Sequence, residues 1–168
     1  RMPKPILKKN DLIKLIKENI KLASQLDKDI KINFSTNSHA VFFKGDKEQL
    51  SRVFFNLIKN SIESIEQKYE KNPNFTKKIS IEIINNSDHI IIIIIDNGIG
   101  FSNITKNIKD ILHPYFTTKK NGTGLGLSIV NKIINDHNGK ISFIPIQDGA
   151  KVEIKLYSND NWNINSWW

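Results

Sequence analysis

The residues best suited to chemistry begin with a glycine-rich run, Gly122-Thr123-Gly124-Leu125-Gly126-Leu127, which leads into a helical pattern. Free backbone N–H groups at a helix N-terminus, with the positive end of the helix dipole, can hold a polyphosphate. A Rossmann fingerprint needs glycine where Leu127 stands, and a Walker A lysine is missing. Taken alone, the run predicts a phosphate-binding turn, and an ordinary glycine-rich turn explains it equally well.

A second candidate is Asp96-Asn97-Gly98-Ile99-Gly100, which follows six consecutive isoleucines at residues 90–95. That run suits a strand buried on both faces, so we expect the Asp96 carboxylate to lie at the rim of the core. The two glycines would let a planar ligand approach the backbone, and the carboxylate could accept a hydrogen bond from an exocyclic amine. A strand-end turn of the Asn-Gly type is the favoured alternative when this segment is considered alone.

A third candidate is a polar face on a predicted helix. Asn56, Asn60 and Glu63 are spaced i, i+4 and i+7, which brings them to one side of that helix. Amide oxygens are suitable ligands for a Mg²⁺ ion that keeps water and phosphate oxygens in its shell. A solvated helix face has the same pattern, and alone it is the favoured explanation.

The fourth candidate, Phe116-Thr117-Thr118-Lys119, lies in a long segment just before the glycines. It joins an apolar anchor to a cation that could meet phosphate. Loop lysines are usually only solvent-exposed, but a loop of about twenty residues in a compact domain is usually functional.

Hydrophobic periodicity predicts the elements that would position these groups. Asn10-Asp11 and Asp46 are predicted helix caps, and Asp148-Gly149 is a predicted hairpin turn. The predicted helices cover residues 12–26, 47 to about 71, and 123–137, and the predicted strands cover residues 30–34, 40–43, 79–83, 90–95, 140–146 and 151–157.

Composition limits the alternatives. A chain of 168 residues is typical of one domain, and the absence of cysteine excludes disulfides and thiolate zinc sites. The longest apolar run, residues 90–95, is too short to cross a bilayer. The net charge of +8 comes from dispersed lysines rather than a basic cluster, so we expect no nucleic-acid partner.

Together the four candidates resemble, in order and spacing, the N, G1, F and G2 boxes of the ATP-binding fold shared by histidine kinases, gyrase-type ATPases, Hsp90 chaperones and mismatch-repair ATPases. The resemblance covers roughly residues 12–156. It implies an α+β two-layer sandwich, the Bergerat fold, with a mixed, largely antiparallel sheet covered on one face by three helices. It also implies a mobile ATP lid over residues 101–121. The boxes begin at Asn56, Asp96, His113 and Gly122.

The resemblance implies ATP and Mg²⁺ as cofactors. Asn60, helped by Asn56, would bind the metal, and these two residues with Lys119 are assigned to catalysis. Asp96 would bind the adenine amino group, and Phe116 would anchor the lid. The implied nucleotide-binding residues are Asn60, Glu63, Asp96, Gly98, Ile99, Gly100, Phe116, Thr118, Lys119, Gly122, Thr123, Gly124, Leu125, Gly126 and Leu127.

Within this group the chain resembles the kinase branch. ATP-hydrolysing branches have a glutamate where Asn56 stands, and an amide cannot act as a general base. The Phe-Thr-Thr-Lys box and the ending Gly-Leu-Gly-Leu-Ser-Ile-Val are most similar to nitrogen-regulation sensor kinases. Ser61 stands where alanine is usual, and His113 where an acidic residue is common. Neither is expected to touch the ATP-binding groups.

No histidine here has the surroundings of a phosphoacceptor H box, so the resemblance implies transfer of the γ-phosphoryl group to a histidine elsewhere in a parent sensor kinase. Residues 1–9 would be a linker from the missing dimerisation and phosphoacceptor region, 10–157 the catalytic domain and 158–168 a tail. The chain would be a monomeric cytoplasmic domain without membrane contact. The parent protein would be membrane-anchored, and its partners would be the phosphoacceptor helices and a response regulator.

Three alternatives remain open at this point. A gyrase-like or Hsp90-like ATPase is disfavoured by Asn56. A serine kinase of the anti-sigma-factor type shares the fold, although the Phe-Thr-Thr-Lys box argues against it. A degenerate nucleotide-binding module that only contacts partners would be revealed by a binding assay.

Overall fold

The computed structural model describes residues 2–101 and 126–157, and within them three helices lie against one face of a sheet. This arrangement confirms the predicted two-layer sandwich. A 3₁₀ turn, Ser24–Leu26, extends the first helix. The elements are β1 (Lys8–Asp11), α1 (Leu12–Ala23), β2 (Lys31–Thr36), β3 (Phe42–Gly45), α2 (Lys47–Lys71), β4 (Lys78–Asn85), β5 (His89–Asp96), α3 (Gly126–Asp136), β6 (Lys140–Ile146) and β7 (Gly149–Tyr157).

The main sheet has the strand order β2-β4-β5-β7-β6. Strand β2 runs parallel to β4, and the other pairs are antiparallel, so the predicted mixed sheet is confirmed. Strand β5 is central; it pairs with β7 along its whole length and with β4 from Ile90 to Asp96. Its last residue, Asp96, is therefore fixed between Ile79 of β4 and Ala150 of β7.

The expectation that the isoleucine run is buried on both faces is wrong. Side chains alternate along β5: Ile90, Ile92 and Ile94 are at most 2% exposed, whereas the residues between them are half-buried. The helices pack against one face only. The pleat directs every second side chain to the other face, which the helices leave uncovered. There, long side chains of neighbouring strands, such as Lys155 beside Ile91, stand next to the isoleucines.

Strand β1 was not predicted, because its sequence Lys-Lys-Asn-Asp has no apolar alternation. It pairs antiparallel with β3 in a separate two-stranded sheet. The preceding residues are also tied to the domain: the Ile6 N–H donates to Asp46 Oδ2 at 2.9 Å, and Gln49 Nε2 donates to the Pro3 carbonyl at 3.0 Å. Part of the segment expected to be a linker therefore packs on the start of α2.

The start of α2 is fixed by two side chains. Asp46 caps the helix as predicted, with Oδ1 accepting from the Gln49 N–H at 3.0 Å. His137, just after α3, is buried; its Nε2 accepts from the Asp46 N–H at 3.0 Å, and its Nδ1 donates to the Ile133 carbonyl at 2.8 Å. Burial raises the pKa of Asp46, but backbone N–H donors such as that of Ile6 outweigh burial and lower it. These contacts hold α2 and α3 together.

Candidate functional site

Helix α2 carries the predicted metal face. Asn56, Asn60 and Glu63 are half-buried, while Leu57 and Ile58 between them point into the core. The predicted division of the helix into an apolar side and a polar side is therefore observed. Glu63 also forms an ion pair with Lys59, at 3.7 Å between Oε1 and Nζ.

Asp96 lies at the end of the central strand and is 6% exposed. Its Oδ1 accepts from the Gly98 N–H at 2.9 Å. Burial raises the pKa of Asp96 to about 6, against the opposing effects of the Gly98 N–H, a hydrogen bond from the Ser61 hydroxyl and the charge of Lys68. The carboxylate is thus largely ionised at neutral pH and can accept a hydrogen bond in a desolvated position.

Ser61 was not expected to touch the predicted ATP-binding groups, yet its hydroxyl is hydrogen-bonded to the carboxylate of Asp96, one of those predicted groups. Ser61 is buried on α2, one residue beyond Asn60. Sequence alone could have indicated it only as a polar residue on the apolar side of the helix, where a buried hydroxyl needs a partner.

The rest of the loop is held by further hydrogen bonds. The Ile99 N–H donates to Ser64 Oγ at 3.0 Å, and Lys68 Nζ donates to the Asn97 carbonyl at 2.9 Å. The Asn97 side chain bonds the backbone at the start of β4, accepting from the Lys78 N–H at 2.9 Å. Backbone and side chains of this loop are therefore fixed to α2 and β4.

Both glycines of the loop are required by close approach of the protein itself. A Cβ on Gly98 would lie 2.7 Å from the Ser64 carbonyl carbon and 2.8 Å from the Ile65 nitrogen. Gly100 has φ +80°, and a Cβ there would lie 2.8 Å from the Gly149 carbonyl oxygen. A side chain at either position would push the loop away from its supports.

Gly149 is a residue that sequence analysis identified only as part of a turn. A Cβ at this position would lie 1.9 Å from the Asp96 carbonyl oxygen. The hairpin turn between β6 and β7 therefore packs directly against the backbone of Asp96. No local sequence pattern predicts this contact.

An open cavity of about 720 Å³ adjoins the loop. Its volume falls in the range typical of small-molecule sites. Part of the wall comes from the loop, part from the second half of α2 and part from the β6–β7 turn. The lining includes Gly98, Ile99, Gly100, Lys68, Asp148 and Gly149.

Three described residues border the remaining predicted site. Phe101, expected to begin the lid, is buried and packs edge-to-face on Phe143 with ring centroids 5.7 Å apart. Gly126 begins α3 as described, and Leu127 packs against the core. The predictions for Phe116, Thr118, Lys119, Gly122, Thr123, Gly124 and Leu125 fall outside the described residues.

Across residues 2–101 and 126–157, no helix is both long and apolar enough to cross a membrane.

Known proteins of one family resemble this chain in sequence and in structure. Residues 45–159 match the family described as histidine kinase-, DNA gyrase B- and HSP90-like ATPase. A putative NtrY-like sensor histidine kinase of Rickettsia felis is 33% identical over 93% of this chain and 25% of its own length. Sporulation kinase B of Bacillus subtilis is 36% identical over 87% of this chain and 32% of its own length. The chain spans about a quarter to a third of these relatives.

Among solved structures, the catalytic domain of histidine kinase ThkA superimposes with a TM-score of 0.77 at 27% identity, covering 91% of this chain and 98% of that domain. The resemblance predicted from the four boxes is thereby confirmed. The chain belongs to the family of histidine kinase-, DNA gyrase B- and HSP90-like ATPases and is similar to the catalytic domains of sensor histidine kinases.

Proposed function

We propose that this chain binds ATP with Mg²⁺ and transfers the γ-phosphoryl group to a histidine in another part of its parent sensor kinase, within a two-component pathway. The observation that carries the proposal is the Asp96 carboxylate, which is buried at the end of the central strand. The loop that follows it contributes Gly98, Ile99 and Gly100 to the wall of an open cavity. A buried carboxylate is costly to maintain, and such groups concentrate at functional sites.

Asp96 supports the adenine end of the site. A carboxylate has about four acceptor positions. The Gly98 N–H and the Ser61 hydroxyl use part of this capacity, and the remainder can accept from the exocyclic amino group of adenine. Ile99, half-buried in the wall of the cavity, supplies apolar surface for the ring.

The polar face of α2 suits a magnesium ion that is shared with phosphate. Among the described residues, no group of three His, Asp or Glu side chains could enclose a metal. Mg²⁺ bound to nucleotide needs few protein ligands, because phosphate and water complete its octahedron. Asn60, with Asn56, would hold the ion, which when bound neutralises charge on the transferring phosphoryl group.

The residues favour transfer to an external histidine over hydrolysis. Asn56 stands where the ATP-hydrolysing branches have a glutamate, and its neutral amide cannot act as a general base that activates water. His137 cannot serve as the acceptor, because it is 4% exposed and both ring nitrogens are hydrogen-bonded within the fold. Phosphoryl transfer depends mainly on positioning and charge neutralisation, which this chain can provide without its own nucleophile.

The partners follow from the same proposal. The phosphoacceptor helices of the parent protein would receive the phosphoryl group, and a response regulator would take it onward. ThkA has been crystallised with a response regulator, TrrA.

The parent would be anchored in a membrane with this domain on the cytoplasmic side. Residues 10–157 would form the catalytic unit, with Lys119 and the glycine run 122–126 at the phosphates.

A phosphotransfer assay tests this function. The chain is mixed with a separately produced fragment that carries the phosphoacceptor helices of its parent, together with γ-labelled ATP and Mg²⁺. We expect label on a histidine of the added fragment and none with the Asp96→Asn variant. Steady phosphate release without the fragment would instead identify an ATPase, and absence of nucleotide binding would identify a degenerate module.

A further inference from the structure

Three side chains of α2 hold the loop that follows β5. Ser61, Ser64 and Lys68 are spaced i, i+3 and i+7, so they form one row along the helix. Ser61 bonds the Asp96 carboxylate, Ser64 accepts from the Ile99 N–H, and Lys68 donates to the Asn97 carbonyl. The loop is thereby attached to the same helix that carries the predicted metal face.

We propose that Ser61 and Ser64 are positioning residues of the nucleotide site: Ser61 stabilises the charged Asp96 carboxylate that accepts from the adenine amino group, and Ser64 holds the loop backbone behind it. The proposal rests on the proposed function and assigns these two hydroxyl groups distinct roles in it. Ser61 acts on a charged group, whereas Ser64 acts on a neutral N–H. Replacement of each serine by alanine should therefore change nucleotide affinity with a different dependence on pH.

The role of Ser61 follows from its surroundings. Ser61 and Asp96 are each 6% exposed, so the hydrogen bond between their side chains is shielded from bulk water. The flanking strand residues paired with Asp96 are Ile79 and Ala150, which carry no charge. Among the described residues, Lys68 is the charged side chain that acts on the carboxylate. The Ser61 hydroxyl lowers the pKa of Asp96, whereas desolvation raises it. Without the hydroxyl the carboxylate would therefore retain its proton to higher pH.

The role of Ser64 is geometric. Its Oγ lies 3.0 Å from the Ile99 nitrogen, and the adjoining helix backbone lies against Gly98 without room for a Cβ. Removal of this acceptor loosens the loop at Ile99, which lines the cavity. It changes no charge at Asp96, so its effect on nucleotide affinity does not depend on pH.

The test uses Ser61→Ala, Ser64→Ala and the control Ser51→Ala in the whole chain. Ser51 is on α2 but outside the loop contact. Mg·ATP affinity is measured by calorimetry from pH 5 to pH 8, and the Asp96 carboxyl is titrated by ¹³C NMR without nucleotide, its signal assigned with Asp96→Asn. Comparison with the control at each pH cancels the titration of the nucleotide itself.

For Ser61→Ala we expect the Asp96 midpoint to rise by about one pH unit, a tenfold change in proton affinity. Its nucleotide affinity falls several-fold near pH 6.5 and approaches the control value at pH 8. Ser64→Ala lowers affinity by a similar factor at every pH and leaves the midpoint in place. An unchanged midpoint in Ser61→Ala, or a pH-independent loss there, would overturn the role of Ser61.

Unaltered affinity in Ser64→Ala would overturn the role of Ser64. If the unsubstituted chain bound no nucleotide, the proposed function would fail and the nucleotide-positioning roles with it. The NMR titration would still report whether Ser61 acts on Asp96, so the two failures are distinguishable.

Discussion

The two ends of the proposed nucleotide site are built in opposite ways. At the loop end, residues 96–100, a carboxylate is buried and the backbone is locked against α2 and the β6–β7 turn. At the helix end, the face of α2 with Asn56 and Asn60, neutral side chains lie half-buried on a regular helix. Both are assigned to ligand binding, yet only the loop end departs from what stability alone would favour.

This difference separates function from folding. Desolvation of Asp96 disfavours the charged form, so the loop end carries a free-energy cost in the absence of ligand. The helix end carries little such cost, because neutral amides on a helix surface remain partly hydrated. Substitutions at the two ends should therefore affect stability and binding in different proportions.

The largest effect is expected at the support of the loop end. Gly149→Ala places a Cβ within 1.9 Å of the Asp96 carbonyl oxygen, and a clash between backbones cannot be relieved by a rotamer change. We expect a loss of more than about 3 kcal/mol in the free energy of unfolding, measured by urea denaturation. Gly126→Ala is the matched control, since a Cβ there meets no atom of the described residues within 4 Å. Equal stability of the two variants would contradict the described packing.

Asp96→Asn should stabilise the fold. Raising a carboxyl pKa from its ordinary value of 3.8 to about 6 corresponds to about 3 kcal/mol between the charged and neutral forms. The contribution of Asp96 to stability is full below pH 3.8 and is lost as the pH rises through 6. The advantage of the Asn variant should accordingly grow from near zero at pH 4 to as much as about 3 kcal/mol at pH 7. Urea denaturation at several pH values checks this, and a pH-independent difference would refute it.

At the helix end we expect a large effect on ligand binding and a small effect on stability. Asn60→Ala should weaken the Mg²⁺-dependent part of ATP affinity by about ten- to a hundredfold, the effect of losing a ligand contact worth about 1.4 to 2.7 kcal/mol. Its unfolding free energy should change by no more than about 1 kcal/mol, because the side chain is half-buried. Calorimetric titrations with Mg²⁺ and with EDTA separate the two parts. An equal loss in both titrations would remove Asn60 from the metal site.

The smallest effect concerns the outer contact of the loop. Lys68→Met removes the hydrogen bond to the Asn97 carbonyl and the cation over the Phe75 ring. We expect a loss of about 1 kcal/mol, or about 2–4 °C in the thermal midpoint. Lys71→Met, on the exposed end of the same helix, serves as the control. A larger loss of stability in Lys68→Met than in Gly149→Ala would contradict the claim that Gly149 supports the loop more strongly than Lys68 does.

Much of the fold could be predicted because its signals are local. Asp46 is followed by a helical pattern and caps α2, and the turn between β4 and β5 separates two apolar runs. Strand β1 escaped prediction since it is held by pairing with β3 rather than by apolar alternation. The burial of residues 90–95 was overestimated because an unbroken isoleucine run does not reveal whether a second helical layer exists.

At the site, the sequence predicted which residues would bind the ligand, but not which residues hold them in place. Asp96 and Asn60 are recognisable from spacing within the boxes. Ser61 and Ser64 look like ordinary helix residues, and their importance depends on which loop packs beside them. Gly149 looks like a turn residue for the same reason. Tertiary contact is the information that a single sequence does not carry.

The most direct test of the account is calorimetric titration of the unsubstituted chain and of Asp96→Asn with Mg·ATP at pH 7.5. We expect clear binding by the unsubstituted chain and none by the variant, although the variant remains folded and resists urea at least as well. Binding of similar affinity in both proteins would contradict the assignment of Asp96 to the nucleotide and, with it, the proposed cost of the loop end.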